Sequence, residues 1–163
     1  MSILILSNII SLNEKLLQKM VFNIKILFLD FDGVLHPLNS EKENLFCKVH
    51  YLEKALEGAS CKIVITSNWR LTYSTQEMRE LLPRSIGELI IGVTEVKKEI
   101  NHKRFIEIKN YLSTNINSSL IDWRAIDDSP QDFPADSKNL ICCNPILGMG
   151  SAEQIQIAKW LKN

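Results

Sequence analysis

Ile24-Lys25-Ile26-Leu27-Phe28-Leu29 runs straight into Asp30-Phe31-Asp32-Gly33-Val34-Leu35-His36. The first six residues are almost wholly apolar, which suits a β-strand buried on both faces of a sheet. Two aspartates then stand two residues apart. Gly33 permits the tight chain path that a turn directly after them needs.

The same alternation of apolar runs and helical periods continues downstream. Leu45, Val49, Leu52 and Leu56 mark one face of a helix, and Gly58 sits where a C-terminal cap belongs. Cys61 to Ile65 reads as a second buried strand. A helix around Thr75 to Leu82 is stopped by Pro83. Glu88 to Ile91 reads as a third strand. Phe105, Ile108 and Leu112 mark a helix that begins near His102. Trp123 to Ile126 and Asn139 to Cys143 read as strands four and five. The last helix spans Ser151 to Leu161, with Ile155, Ala158 and Leu161 facing inward. Strands alternating with helices predict an α/β fold, a central parallel sheet of about five strands with helices on both faces. Neither repeats nor a flexible linker interrupt it.

The chain has 163 residues, of which 45% are hydrophobic and 23% charged, within the range of a soluble globular domain. Residues 20–163 are read as a single catalytic domain, and residues 1–19 as an N-terminal extension or helix, with Met20 as a second candidate start. Ser2 to Leu6 is apolar, but no basic residue precedes it and no cleavage site follows, so no signal peptide is recognised. It is also too short to span a bilayer. Leu12, Leu16, Leu17 and Met20 follow helical spacing; a docked helix is the plain reading, and a membrane-surface helix would have only Lys15 and Lys19 to serve it. The expected compartment is the cytoplasm, with secretion by a non-classical route as the other possibility. Cys47, Cys61, Cys142 and Cys143 form no Cys-x-x-Cys pair and are read as reduced thiols. The formal charge is zero, so no global field draws the chain to a polyanion.

In a parallel sheet, ligands collect beyond the carboxyl ends of the strands. Asp30 and Asp32 follow the first strand, Thr66, Ser67 and Asn68 the second, and Asp127 and Asp128 the fourth. Lys103 and Arg104 stand ahead of the third helix. Carboxylates gathered at one edge repel one another unless they share a cation or a proton. Asp30 and Asp127 offer hard oxygen ligands for Mg²⁺, with Asp32 and Asp128 as further members of the metal set. Thr66, Ser67, Asn68 and the cations Lys103 and Arg104 suit a phosphate. Asp30 then has the role of nucleophile and Asp32 that of general acid and base. His36, Trp69 and Arg70 are candidate substrate contacts.

These residues resemble the haloacid dehalogenase (HAD) superfamily. Asp30-Phe31-Asp32-Gly33 is similar to its first motif, Ile63-Val64-Ile65-Thr66 to its second and Asp127-Asp128 to its fourth. The third motif is a Lys or Arg, and the Arg-x-x-Glu-Ile spacing favours Arg104 over its neighbour Lys103. Asp-Gly-Val-Leu-His-Pro (32–37) and Ile-Thr-Ser-Asn-Trp-Arg (65–70) look like small bacterial HAD domains, including ones associated with RNA repair. The resemblance implies a Rossmann-like fold, Mg²⁺ dependence and an aspartyl-phosphate intermediate. The segments 34–44 and 92–101 are too short to hold a cap domain, which leaves an open cleft suited to a phosphorylated macromolecule. The leading expectation is a phosphoprotein, including phosphotyrosine. The alternative is a polynucleotide end phosphatase, and from another class a non-catalytic binding module on the same fold.

Overall fold

The computed structural model describes residues 25–98, 101–115 and 121–163. The expectations for residues 1–19 and for Met20 lie outside the described residues. Five strands form one sheet: β1 (Lys25–Leu29), β2 (Cys61–Ile65), β3 (Ile90–Val93), β4 (Asp122–Asp127) and β5 (Leu140–Cys142). Their order is β3-β2-β1-β4-β5, and every pairing is parallel. Five helices accompany them among the described residues: α1 (Val49–Leu56), α2 (Thr75–Glu80), α3 (Arg84–Gly87), α4 (Lys103–Asn115) and α5 (Ser151–Lys162).

The predicted alternation holds because β1 is buried along its whole length. Its side chains alternate between two cores. Leu27 and Leu29 join Ile63, Ile65, Leu52 of α1 and Ile157 of α5 on one face. Ile26 and Phe28 join Val64, Trp123 and α4 residues Ile108 and Leu112 on the other. Each fully buried Leu, Ile or Phe contributes ~1.5–3 kcal/mol. Helices therefore cover both faces, as a sheet apolar on both faces requires. Gly58, with φ +68°, ends α1 in the left-handed cap position.

The inward face of α5 differs from the predicted one. Ile157 and Trp160 are buried, whereas Ile155 is 50% exposed. Ile155, Ile157, Ala158, Trp160 and Leu161 offer two overlapping apolar stripes. The indole decides between them by packing at the start of β1, where the Lys25 ammonium donates to the Trp160 carbonyl (2.6 Å) and lies 5.3 Å from the ring. The third strand also starts two residues later than its apolar pattern suggests, since α3 extends to Gly87 and turns back through Leu89.

Strand order places the site. From β1 the chain steps to β2 and then β3, and it crosses back to β4 on the other flank of β1. The connections leaving β1 and β4 thus part in opposite directions, and a crevice opens beyond their carboxyl ends. Asp30 follows one of these strands and Asp127 ends the other. Among the described residues, nothing larger than a short 3₁₀ turn at Lys42–Asn44 lies between β1 and α1, and no helix follows β3 before α4.

Candidate active site

Backbone hydrogen bonds prolong the sheet past its last regular residues and set the depth of the site. The Asp30 N–H donates to the Ile126 carbonyl (3.1 Å), and the Thr66 N–H to Leu29 (2.9 Å). Asp30 is therefore held at the sheet edge with its carboxylate almost buried. Oδ1 accepts the Phe31 N–H at 2.9 Å, and the Ser67 hydroxyl bonds the same group. The chain then turns over Gly33, whose φ is +70°. A Cβ there would lie 2.2 Å from Asp128 Oδ2, so the glycine lets the first loop close directly onto the acidic pair.

Asp30, Asp127 and Asp128 form one cluster, each offering an oxygen within 4.8 Å of the others. Burial raises the carboxyl of Asp30, and Arg104 opposes it only in part. Burial and the Asp30 charge together push Asp127 up to about 7. Arg104 Nε donates to Asp127 Oδ2 at 3.0 Å, and its NH2 lies 3.8 Å from Asp30 Oδ2. Burial works against the Arg104 charge, but Asp30, Asp127 and Glu107 more than offset it and hold its proton more tightly than usual. Its NH1 also donates to the Thr66 carbonyl.

A second guanidinium stands behind the first. Arg70 donates to the Thr94 carbonyl (3.0 Å), to the Thr66 carbonyl and to Glu107 Oε2 (2.7 Å). Its side chain is 2% exposed and that of Glu107 is wholly buried. Glu107 also lies 3.5 Å from Arg104 NH1 and accepts the Lys97 N–H at 3.2 Å. Arg70 is thus absent from the cleft where a substrate contact was expected, because the buried Glu107 carboxylate and two carbonyls consume its donors. In the sequence Glu107 enters only as the Glu of the Arg-x-x-Glu-Ile spacing, three residues after Arg104 on one helix face, and nothing there announces its pairing with Arg70.

Asp32 departs from the expected metal set in a different way. Its carboxylate is 42% exposed and stands apart from the three clustered acids. Oδ1 lies 3.1 Å from His36 Nε2, and Oδ2 accepts the Trp69 indole N–H at 3.0 Å. His36 is itself only 1% exposed, so it lies beneath Asp32 instead of lining the cleft. Phe31, Phe46 and Tyr73 surround Trp69 with ring centroids at 5.8, 5.3 and 5.2 Å. Phe46 reaches this box with φ +59°, from an irregular loop that no periodicity announces.

The remaining predicted residues sort readily. Thr66 and Ser67 are buried at the end of β2, and Ser67 caps the turn that carries Trp69 and Arg70. Asn68 is exposed. Lys103 is half-buried, and among the described residues no ion pair joins it to the acids. Asp128 belongs to the acidic cluster and accepts the Ser129 hydroxyl (3.1 Å).

The arrangement suits a hard divalent cation. Among the described residues, Asp30, Asp127, Asp128 and Glu107 pair with Arg70 and Arg104 alone, which leaves two negative charges unmatched in a largely buried site. Hard carboxylate oxygens at that spacing are the donors Mg²⁺ prefers. Among the described residues no helix is long and apolar enough to cross a membrane.

Comparison with known protein families matches residues 26–154 to the family described as "HAD domain in Swiss Army Knife RNA repair proteins". No curated protein and no solved structure matches the chain significantly. The match covers β1 from Ile26 onward, the other four strands, both acidic motifs and the Arg104 helix, so the chain belongs to this family of HAD domains.

Proposed function

We propose that the chain is a Mg²⁺-dependent phosphomonoesterase that removes a terminal phosphate from a polynucleotide. The observation that carries it is the separation of two carboxylates two residues apart. Asp30 is buried among Asp127, Asp128 and Arg104, whereas Asp32 stands at the mouth against the ring nitrogens of His36 and Trp69. One fits a nucleophile, the other a proton carrier.

Asp30, Asp127 and Asp128 are the residues that would hold Mg²⁺, which supplies charge neutralisation to the phosphate. Arg104 offsets the negative charge shared by Asp30 and the incoming phosphate, so that one anion can approach another. The Thr66 hydroxyl and the N–H groups of the turn after it orient the phosphate oxygens. A carboxylate oxygen of Asp30 bonds to phosphorus as the ester P–O bond breaks. Asp32 gives its proton to the departing oxygen. Asp32 then takes a proton from water, which attacks the aspartyl-phosphate and releases inorganic phosphate and free Asp30.

An open cleft and a neutral net charge had favoured a phosphoprotein. A family described by RNA repair proteins supports the polynucleotide end instead. The test is a panel of 5′- and 3′-phosphorylated oligonucleotides, phosphopeptides and an aryl phosphate, each with Mg²⁺ and with EDTA. Oligonucleotides should give the highest kcat/KM, and it should fall steeply with salt. Faster turnover of phosphotyrosine peptides would overturn the substrate. Equal inertness of wild type and Asp30→Asn on every compound would overturn the enzyme and favour a binding module.

A further inference from the structure

We infer that His36 and Trp69 are positioning residues: together they aim the Asp32 carboxylate at the leaving oxygen and do not themselves bind substrate. The inference rests on the assignment of Asp32 as acid and base made above.

An aspartate side chain turns about two torsions, and a single hydrogen bond leaves much of that freedom. Here each oxygen has its own N–H donor, at 3.1 Å from His36 Nε2 and 3.0 Å from Trp69 Nε1. Two donors on two oxygens fix both torsions. The indole nitrogen can only donate. The imidazole direction follows from its other nitrogen, because Nδ1 accepts the Phe46 N–H at 3.4 Å. A nitrogen that accepts carries no proton, so the ring proton sits on Nε2, which donates it to Asp32.

The donors are themselves fixed. His36 packs edge-on to Phe46 (5.4 Å, 90°), and Trp69 stacks on Tyr73 (5.2 Å, 26°) with Phe31 and Phe46 at its edges. The loop bearing His36 is anchored as well. Asp32 and His36 form an isolated backbone bridge, and the Met149 N–H donates to the Val34 carbonyl at 2.7 Å. A carboxylate offers about four lone-pair sites, so two donors leave the others for a proton shared with the substrate. General acids act within about 2.6–3.2 Å, and a displacement of about 1 Å can cost ~10²-fold in rate. A fixed carboxylate on a half-exposed rim is what proton delivery to a bulky leaving group requires.

Leaving-group dependence tests this. An aryl phosphate releases a stable phenolate and needs little help from an acid; a nucleotide 3′- or 5′-phosphate releases an alkoxide and needs a proton. The values compared are kcat/KM, which report steps up to the departure of the leaving group. Trp69→Phe keeps an aromatic ring and removes the N–H. It should lower kcat/KM on the phosphorylated oligonucleotide by about tenfold or more and on the aryl phosphate by less than about threefold. His36→Leu should behave likewise, and His36→Gln, which restores a terminal amide N–H, should recover most of the loss. Thermal unfolding of each variant reports its folding, and Trp69→Phe carries the test if His36→Leu does not fold. An unchanged ratio between the two substrates in Trp69→Phe overturns the inference. So does a rise in KM for oligonucleotide alone at constant kcat, which marks substrate contacts. Wild-type inertness on both substrates would instead remove the underlying assignment of Asp32.

Discussion

Asp127→Asn is expected to stabilise the metal-free protein above neutral pH while abolishing its response to Mg²⁺. Asp127 is wholly buried, and burial with the Asp30 charge raises its carboxyl from 3.8 to about 7. A carboxyl raised on folding contributes its full stability below the unfolded value and loses it as pH climbs through the folded value. Wild type without metal should therefore weaken between about pH 4 and pH 7. The raise of about three units corresponds to ~4 kcal/mol for holding the ionised form. Asparagine removes that penalty. Its single carbonyl cannot serve both Arg104 Nε and the Ser129 N–H, each at 3.0 Å now, and one lost acceptor costs ~1–3 kcal/mol. The net gain at pH 8 is ~1–3 kcal/mol, or a rise of several degrees in Tm at ~2–4 °C per kcal/mol. At pH 5 the wild-type carboxyl is mostly protonated, and the variant should be no more stable. Thermal unfolding by circular dichroism in EDTA, from pH 5 to pH 8, measures both. Mg²⁺ at about a hundred times its Kd should then stabilise wild type by ~2.7 kcal/mol and leave the variant unmoved. A variant weaker than wild type at pH 8, or equal Mg²⁺ stabilisation of both, would refute the reasoning.

Two further outcomes follow from close contacts. Gly33→Ala places a Cβ 2.2 Å from Asp128 Oδ2 at a φ of +70°; the backbone strain alone costs ~1–2 kcal/mol, and displaced Asp128 should weaken the Mg²⁺-induced rise in Tm. Urea unfolding with and without Mg²⁺ reads both effects, and an unchanged midpoint would count against the close approach. Glu107→Ala leaves Arg70 and Arg104 without their shared buried carboxylate and should cost ~3–5 kcal/mol in chemical denaturation. Glu88→Ala, which breaks only the exposed pair with Arg84, should be silent beside it.

Local signals carried most of the fold. The apolar run of β1 and the acids at strand ends depend on neighbours in the chain and fall where the pattern places them, as do Val49, Leu52 and Leu56 ahead of Gly58. Leu45, the first residue of that four-three-four spacing, is extended and lies outside the helix, because the chain turns through Phe46 at φ +59° before α1 begins. The α5 face differs because two apolar stripes overlap within 3.6-residue periodicity, and the choice between them rests on tertiary packing, with Ile157 and Trp160 in the core and Lys25 and Arg124 over the indole. The site shows the same division. Asp30, Asp127, Asp128 and Arg104 converge because strand order alone brings them to one crevice. The orientation of His36, Trp69 and Arg70 was not legible, since it depends on Phe46 and Glu107, which lie 10 and 37 residues from His36 and Arg70 respectively.

The fate of Arg70 explains a property of the cluster as a whole. Two arginines stand at the sheet edge, and both donate to the same Thr66 carbonyl. If both guanidinium groups faced the acids, Asp30, Asp127 and Asp128 would be almost neutralised, and a divalent cation would meet repulsion. Glu107 prevents this by pairing with Arg70 at 2.7 Å. That pair is internally neutral, yet it fixes the Thr66 carbonyl and one edge of Arg104, so it adds rigidity without charge. Among the described residues, Arg104 alone then opposes three carboxylates. The remaining two negative charges stand in a largely buried site, and the raised carboxyls of Asp30 and Asp127 are the metal-free response, a proton standing where a cation fits. The buried pair behind the site thus sets the charge that the cleft presents in front of it.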